Sequence, residues 1–225
     1  MEKLFTEDGK SFEIKLNKNL YSKNSELAEK NLEILNNYRI QAIDILGSIG
    51  SGKTTIIQQL VASLNNKYRI AVIAGDLTTT IDADRIKDRG ANVLQINTDG
   101  GCHLDANLVR NGLDALDLSS LDLILVENVG NLICPSSFPV GTHQRIVIVS
   151  TTEGPYMIVK HPYIFQNATV AVINKKDMAE AMDVDLDQFR VDALKVRPGI
   201  KTVYTNARTG EGVPDLIQAL NIKEK

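Results

Sequence analysis

An α/β fold, a three-layer sandwich with a mostly parallel central sheet and helices on both faces, is predicted by three features of this sequence. Apolar runs of strand length, among them Ile43–Leu46, Arg69–Ala74 and Leu121–Val126, alternate with amphipathic stretches of helix length. These runs are apolar almost throughout rather than at every second residue, which is the pattern of parallel strands covered on both faces. The third feature is Gly47-Ser48-Ile49-Gly50-Ser51-Gly52-Lys53-Thr54, which follows the first strand, opens a helix and fits G-x-x-x-x-G-K-[ST], the phosphate-binding loop. Strand, loop and helix in that register place the chain in the P-loop NTPase fold class, whose sheets bind ligands beyond the carboxyl ends of their strands.

In chain order, residues 1–23 mix charged and apolar residues without a strong period, and Asn24 to Asn36 reads as an amphipathic helix capped by Ser25, with Leu27, Leu32 and Ile34 apolar. Residues 1–37 are therefore expected to form an arm and helix packed on the domain, and residues 38–225 a nucleotide-binding domain with inserted loops. After the phosphate loop, Thr54 to Leu64 is helical, with Ile57, Leu60, Val61 and Leu64 on one face. Arg69–Ala74 is a strand ending in Gly75-Asp76, and the polar segment Leu77–Thr80 leads into a short helix, Asp82–Arg89. Ala91–Ile96 is the third strand, Asn97–Gly101 a loop and Leu104–Leu116 a helix. Leu121–Val126 ends in Glu127-Asn128-Val129-Gly130, and a long loop with Pro135 and Pro139 leads to strand Arg145–Ser150. Ala168–Ile173 is followed by Asn174-Lys175-Lys176-Asp177, and helices near Leu186–Arg197 and Val213–Leu220 flank a last strand, Lys201–Thr205.

Composition narrows the function classes. A chain of 225 residues fits one α/β domain with an extension, and 43% hydrophobic with 24% charged residues suffices for a buried core. A net charge of −3 carries no electrostatic footprint for nucleic acid. No apolar run reaches membrane-spanning length and the N-terminus has no secretory apolar core, so a cytoplasmic location is expected, with no membrane partner. Two cysteines, Cys102 and Cys134, are too few for a disulfide framework and are expected to be free thiols or metal ligands.

The motifs at the strand ends specify chemistry. Backbone N–H groups of Gly47 to Thr54 can converge on phosphate oxygens at a helix N-terminus, with Thr55 in the same first turn. Lys53 would bridge the terminal phosphates and Thr54 would hold Mg²⁺ through its hydroxyl. Glu127 stands where a Walker-B acid stands and would reach Mg²⁺ directly or through water, with Asp76 as a second candidate for the metal sphere or for orienting water. Asn174-Lys175-Lys176-Asp177 fits N-K-x-D, the guanine-reading motif. Asp177 can accept from the ring N1–H and exocyclic amine, Lys175 can lie along the base, and Asn174 can tie this loop to the phosphate loop. The N–H of Ala207, after the final strand, could meet guanine O6. GTP and GDP are therefore the expected nucleotides. No Gln follows Gly130 to orient water, so slow intrinsic hydrolysis is expected.

Cys102, His103 and Cys134 offer two thiols and an imidazole, donors suited to Zn²⁺ or Ni²⁺. Three ligands leave one position open or invite donors from a second subunit. Cys134 lies four residues beyond Gly130, so a metal there would share a loop with the sensor of the terminal phosphate.

Glu127-Asn128-Val129-Gly130-Asn131-Leu132-Ile133-Cys134-Pro135, with Gly50-Ser51-Gly52-Lys53-Thr54, Cys102-His103-Leu104-Asp105 and Asn174-Lys175-Lys176-Asp177, resembles the HypB family, the nickel-incorporation GTPases of NiFe-hydrogenase maturation. The resemblance runs from about residue 25 to the C-terminus. It implies a GTP-dependent metallochaperone with a zinc or nickel site of Cys102, His103 and Cys134 at a homodimer interface. It also implies a small nickel-binding partner of the HypA type and indirect service to a hydrogenase large subunit. Residues 1–30 contain neither Cys nor His, so no nickel-storage role is expected of them. The segment Thr151–Tyr156 lacks acidic residues after Glu153-Gly154 that the resemblance leads one to expect. Two other functions share these motifs in part. A urease-type nickel GTPase uses Cys-Pro-His where this chain has Cys102-His103, and a small-molecule P-loop kinase would need an acceptor-binding lid that the sequence does not offer.

Overall fold

Seven parallel strands form one sheet in the computed structural model of this chain, which describes residues 9–75, 80–98 and 100–222, with side chains from residue 19 onward apart from 80–82. The strands are β1 (Gln41–Gly47), β2 (Ile70–Gly75), β3 (Asn92–Ile96), β4 (Leu123–Glu127), β5 (Gln144–Ser150), β6 (Val170–Asn174) and β7 (Lys201–Tyr204). Their spatial order is β3-β2-β4-β1-β5-β6-β7, every neighbouring pair parallel. Register sets Ile45 of β1 beside Glu127 of β4 and Gly47 of β1 beside Ile148 of β5. The central strand β1 thereby delivers the phosphate loop between the ends of its two neighbours.

Alternation along the strands divides the core into two layers. Ile43 and Ile45 of β1 face α2 (Lys53–Leu64) and α8 (Val213–Leu220), where Ile56, Leu60, Leu216 and Leu220 are buried. Ala42 faces the opposite side, under α1 (Gly9–Asn37) and α4 (Ala106–Asp114), through Leu35, Val109 and Leu113. Leu46 joins the part of that side covered by α5 (Met157–Lys160), α6 (Pro162–Gln166) and α7 (Leu186–Val196). Each fully buried Leu or Ile contributes about 1.5–3 kcal/mol of transfer free energy, which explains why the strands tolerate so few polar residues.

The structure departs from the sequence reading in several places. Helix α1 begins at Gly9, far ahead of Ser25, which is an interior residue and not a cap. No Gly or Pro interrupts residues 10–36, so nothing stops the helix from extending toward the N-terminus. Its buried stripe is Asn24, Ala28, Asn31 and Leu35, whereas Leu27, Leu32 and Ile34 are only half-buried. Residues that look polar in sequence thus carry the packed face. Helix α3 (Thr80–Lys87) begins two residues earlier than expected, and α4 begins at Ala106, with the Asp105 side chain accepting from the Leu108 N–H at 2.8 Å as its cap. The short helices α5 and α6 have no counterpart in the sequence reading, because neither is long enough to display a period. Asp76 and most of the Leu77–Thr80 segment lie outside the described residues, as does the start of the arm. Among the described residues, no helix is long and apolar enough to cross a membrane.

One pair of charges is buried inside the sheet. Asp44 of β1 is fully buried and accepts from Arg145 Nε of β5 at 3.0 Å and from Asn128 Nδ2 at 3.3 Å. Burial holds its carboxyl above the ordinary range, with the Arg145 charge opposing. Arg145 also donates to Phe138 O at 3.2 Å, so the pair reaches the long loop before β5.

Candidate nucleotide and metal site

The phosphate loop turns where only glycine fits. A Cβ on Gly47 would collide with Ile148 O of β5 and sit 2.7 Å from Ser51 Oγ. Gly52 adopts φ 97° as the residue before α2, and a Cβ there would run into the Asn174 side-chain amide. Ser51 closes the loop by donating from Oγ to Ser48 O at 3.0 Å. Lys53 is buried, and its ammonium donates to Gly47 O at 3.2 Å and Ser48 O at 3.0 Å. Its ammonium therefore sits against the backbone of the phosphate loop itself. Ile49, at the outer tip of the loop, is 82% exposed.

Thr54 Oγ1 donates to Glu127 Oε1 at 2.7 Å, and Glu127 is buried at the end of β4. A hydroxyl and a carboxylate oxygen in contact at the mouth of a phosphate loop are hard donors that fit Mg²⁺. Thr55 follows in the first turn of α2. Glu153 binds this region from the other side. Its Oε1 accepts from Ser48 Oγ, and its Oε2 accepts from the Ser150 N–H at 2.8 Å. This tie was not anticipated, although the Ser150-x-x-Glu153 spacing of a capping box was legible in the sequence.

Asn174, at the end of β6, is a three-way junction. Its Nδ2 donates to Ser51 O at 2.9 Å, while its Oδ1 accepts from Thr205 Oγ1 and from the Ala207 N–H, both at 3.0 Å. The Ala207 N–H is thus engaged by Asn174, and a bond to guanine O6 would have to share or replace that contact. Lys175 takes the left-handed conformation, φ 57°, with its carbonyl accepting from Thr151 Oγ1 at 2.6 Å and its ammonium donating to Thr152 Oγ1 at 3.3 Å. That turn leaves Asp177 exposed to solvent beyond the sheet edge. Lys176 pairs with Glu211 at 2.7 Å, and Gln59 of α2 donates to Ala207 O at 2.9 Å, joining the 205–211 loop to both.

Cys102, His103 and Cys134 come together although 32 residues separate the first from the last: their ligand atoms all lie within 4.8 Å of one another. Cys102 Sγ is 3.4 Å from His103 Nδ1. A hydrogen bond with the neighbouring Cys134 thiol, then burial, holds the Cys102 thiol above its ordinary value. Burial pushes the His103 imidazole below its ordinary value, with Asp105 opposing, which favours the neutral ring that ligates metals. The Phe138 ring lies against His103, centroids 4.2 Å apart.

Two asparagines join the two halves of the site. Asn128 Oδ1 accepts from the Leu104 N–H at 2.8 Å, fixing the Cys102-His103 loop to the end of β4. Asn131 pairs with Gly47 of the phosphate loop as an isolated antiparallel bridge. The Asn131 side chain donates to Cys102 O at 3.3 Å and accepts from the Ile133 N–H at 2.8 Å and, more distantly, from the Cys134 N–H at 3.4 Å. Between them, Gly130 is packed so close to Ile49 that a Cβ would lie 3.1 Å from the Ile49 nitrogen. Sequence reasoning quoted Asn128 and Asn131 within a motif but gave them no role, because their partners lie in other loops.

Comparison with known proteins places these features. The nucleotide-binding domain model described as CobW/HypB/UreG matches residues 41–204. The probable hydrogenase maturation factor HypB of Methanocaldococcus jannaschii is 44% identical over 209 residues, covering 92% of this chain and 95% of that protein. The crystal structure of hydrogenase maturation factor HypB from Archaeoglobus fulgidus superposes with a TM-score of 0.83 at 39% identity, over 89% of this chain and 98% of that one. HypB from Helicobacter pylori, crystallised in complex with nickel, gives a TM-score of 0.82 at 32% identity, over 88% and 93% of the two chains. A LAO/AO transport system kinase, at 16% identity and a TM-score of 0.58, shares the fold alone. With the matched domain spanning the sheet and the likeness extending through both cysteine loops, this chain belongs to the HypB family of CobW/HypB/UreG nucleotide-binding proteins.

Proposed function

We propose that this chain is a GTP-hydrolysing metallochaperone that carries nickel during NiFe-hydrogenase maturation, and that nucleotide state controls its hold on the metal. The observation that carries this reading is Asn131, whose backbone pairs with the phosphate loop while its side chain joins the Cys102 and Cys134 loops. A shift at one site therefore has a short covalent and hydrogen-bonded route to the other.

In hydrolysis, water attacks the γ-phosphorus, the bond to the bridging oxygen breaks, and GDP departs with phosphate. Lys53 offsets charge on the terminal phosphate, and loop N–H groups hold it in line. Thr54 and Glu127 would hold Mg²⁺, with Asp76 a further candidate, and the ion would supply charge neutralisation of the β- and γ-oxygens. Asp177 and Lys175 would select and stack guanine. Turnover is slow on this reading because no Gln follows Gly130 to orient the water.

Nickel is cargo rather than a resident cofactor, and zinc is the competing occupant of Cys102, His103 and Cys134. Three donors leave a tetrahedral site one short, and a two-fold pairing of identical chains would supply more. The chain would act in the cytoplasm beside a small nickel-binding protein of the HypA type, with the hydrogenase large subunit as the eventual recipient. The test is nickel titration with sedimentation analysis, in GDP and in a non-hydrolysable GTP analogue. Metal affinity and dimer fraction should differ between the two; identical values in both would overturn the nucleotide-gated reading.

A further inference from the structure

We infer that α1 is a clamp that sets the spacing of the two metal-bearing loops, with Asn24 and Asn31 as its positioning residues; this rests on the metal reading above. Both asparagines are buried, Asn31 completely, and they stand seven residues apart on one helix face. Asn31 Nδ2 donates to Ala106 O at 2.8 Å and to Val140 O at 3.0 Å. Asn24 Oδ1 accepts from the Ala106 N–H at 2.9 Å, and its Nδ2 donates to Pro139 O at 2.8 Å.

The partners divide into two groups. Ala106 opens α4, three residues after His103; Pro139 and Val140 follow Cys134 and lead into β5. Each asparagine therefore grips one backbone group from each loop. The Arg110 Nε donates to Asn31 Oδ1 at 2.9 Å and fixes that amide in the orientation the clamp needs. Gly141 makes the approach possible: it adopts φ +89°, and a Cβ there would strike Ala28 O and lie 2.6 Å from Asn31 Cβ. Tyr21, one turn before Asn24, extends the contact to the ligand itself, since its ring meets Phe138 at 5.1 Å and Phe138 meets His103 at 4.2 Å.

A helix that only covered the core would bury apolar side chains here. Four hydrogen bonds to two segments that are remote in sequence instead fix their separation, as outer partners fix the ligands of a metal. The experiment is nickel competition against a chromophoric chelator, using the full chain with Asn31→Ala, Asn24→Asp or Leu220→Ala. Leu220 is buried on α8, against the opposite face of the sheet, and controls for simple destabilisation.

Asn31→Ala should weaken nickel binding by about tenfold to a hundredfold and diminish the thiolate-to-nickel charge-transfer band, the range found when outer-shell partners are lost. GDP affinity should be unchanged. Asn24→Asp keeps the acceptor for Ala106 and turns the donor to Pro139 into a carboxylate oxygen facing that carbonyl, so it should release the 139–140 segment alone and give a smaller loss of nickel affinity. Leu220→Ala should lower the melting temperature and leave nickel binding as it was. Asn31→Ala and Asn24→Asp chains that bind nickel like the unsubstituted protein would overturn the clamp and leave the metal site standing. An unsubstituted chain that binds neither nickel nor zinc would overturn both.

Discussion

Replacing Asn174 by alanine tests whether the nucleotide site is held together by side chains or by the sheet alone. The side chain is 2% exposed and serves three partners: Ser51 O in the phosphate loop, and Thr205 Oγ1 and the Ala207 N–H in the loop after β7. Each such bond contributes about 1 kcal/mol net, so truncation should cost about 3 kcal/mol, more where a buried group finds no water. For a chain of this size that corresponds to a fall in melting temperature of about 6–12 °C. Nucleotide binding should suffer separately, because the phosphate loop loses its side-chain hydrogen bond to the end of β6; losing one bond of about 1 kcal/mol is about fivefold in affinity. Asn174→Asp retains an acceptor for Thr205 and Ala207 but sets a buried carboxylate oxygen against Ser51 O, and near neutral pH should destabilise the chain at least as much as alanine does. Calorimetric melting and isothermal titration with GDP measure both effects. A melting temperature lowered by less than about 2 °C, with GDP affinity intact, would refute the view that Asn174 joins the two loops.

Three further outcomes follow from the site and its surroundings. Lys53→Ala should abolish phosphate release and weaken triphosphate binding more than diphosphate binding, as measured by single-turnover hydrolysis and titration with each nucleotide. Asp177→Asn should move preference from guanine toward xanthine nucleotides, since xanthine offers a carbonyl where guanine offers an amine; unchanged preference in competition binding would remove Asp177 from base reading. Arg145→Met leaves Asp44 buried without its counter-charge and should destabilise the chain by about 3–5 kcal/mol near neutral pH. The Asp44 carboxyl already lies above its ordinary value, so it favours the folded state at low pH and loses that contribution as pH rises through its folded value. Losing Arg145 raises it further, and the variant should therefore recover part of its lost stability as pH falls from neutral into the acid range, measured by denaturant unfolding at each pH. A deficit independent of pH would mean that Asp44 does not titrate in that window.

What the sequence alone determined were the features encoded over a few neighbouring residues. Continuous apolar runs announce strands buried on both faces because such strands meet no water. Gly47, Gly50 and Gly52 announce the phosphate loop because its tight turns either leave no room for a Cβ, as at Gly47 and Gly52, or take a positive φ, as at Gly50 and Gly52. Asn174 to Asp177 and Cys102-His103 were legible for the same reason: residue type and position at a strand end or loop suffice to suggest chemistry. Helix α1 illustrates where this ends. Its packed face holds Asn24 and Asn31, and a reading based on apolar periodicity selects Leu27, Leu32 and Ile34 instead.

Only the tertiary structure decided how these pieces meet. The order β2-β4-β1-β5 places Asp44 beside Arg145, 101 residues away, and makes a charged pair affordable among central strands whose other buried charge is Glu127 at the end of β4. The crossing of the 128–134 segment over the phosphate loop brings Cys134 to Cys102 and gives Asn131 contacts with both sites. Burial makes those polar contacts obligatory, because a donor or acceptor removed from water must find a partner in the protein. Which partner it finds depends on the path of the whole backbone, and no local stretch of residues carries that information.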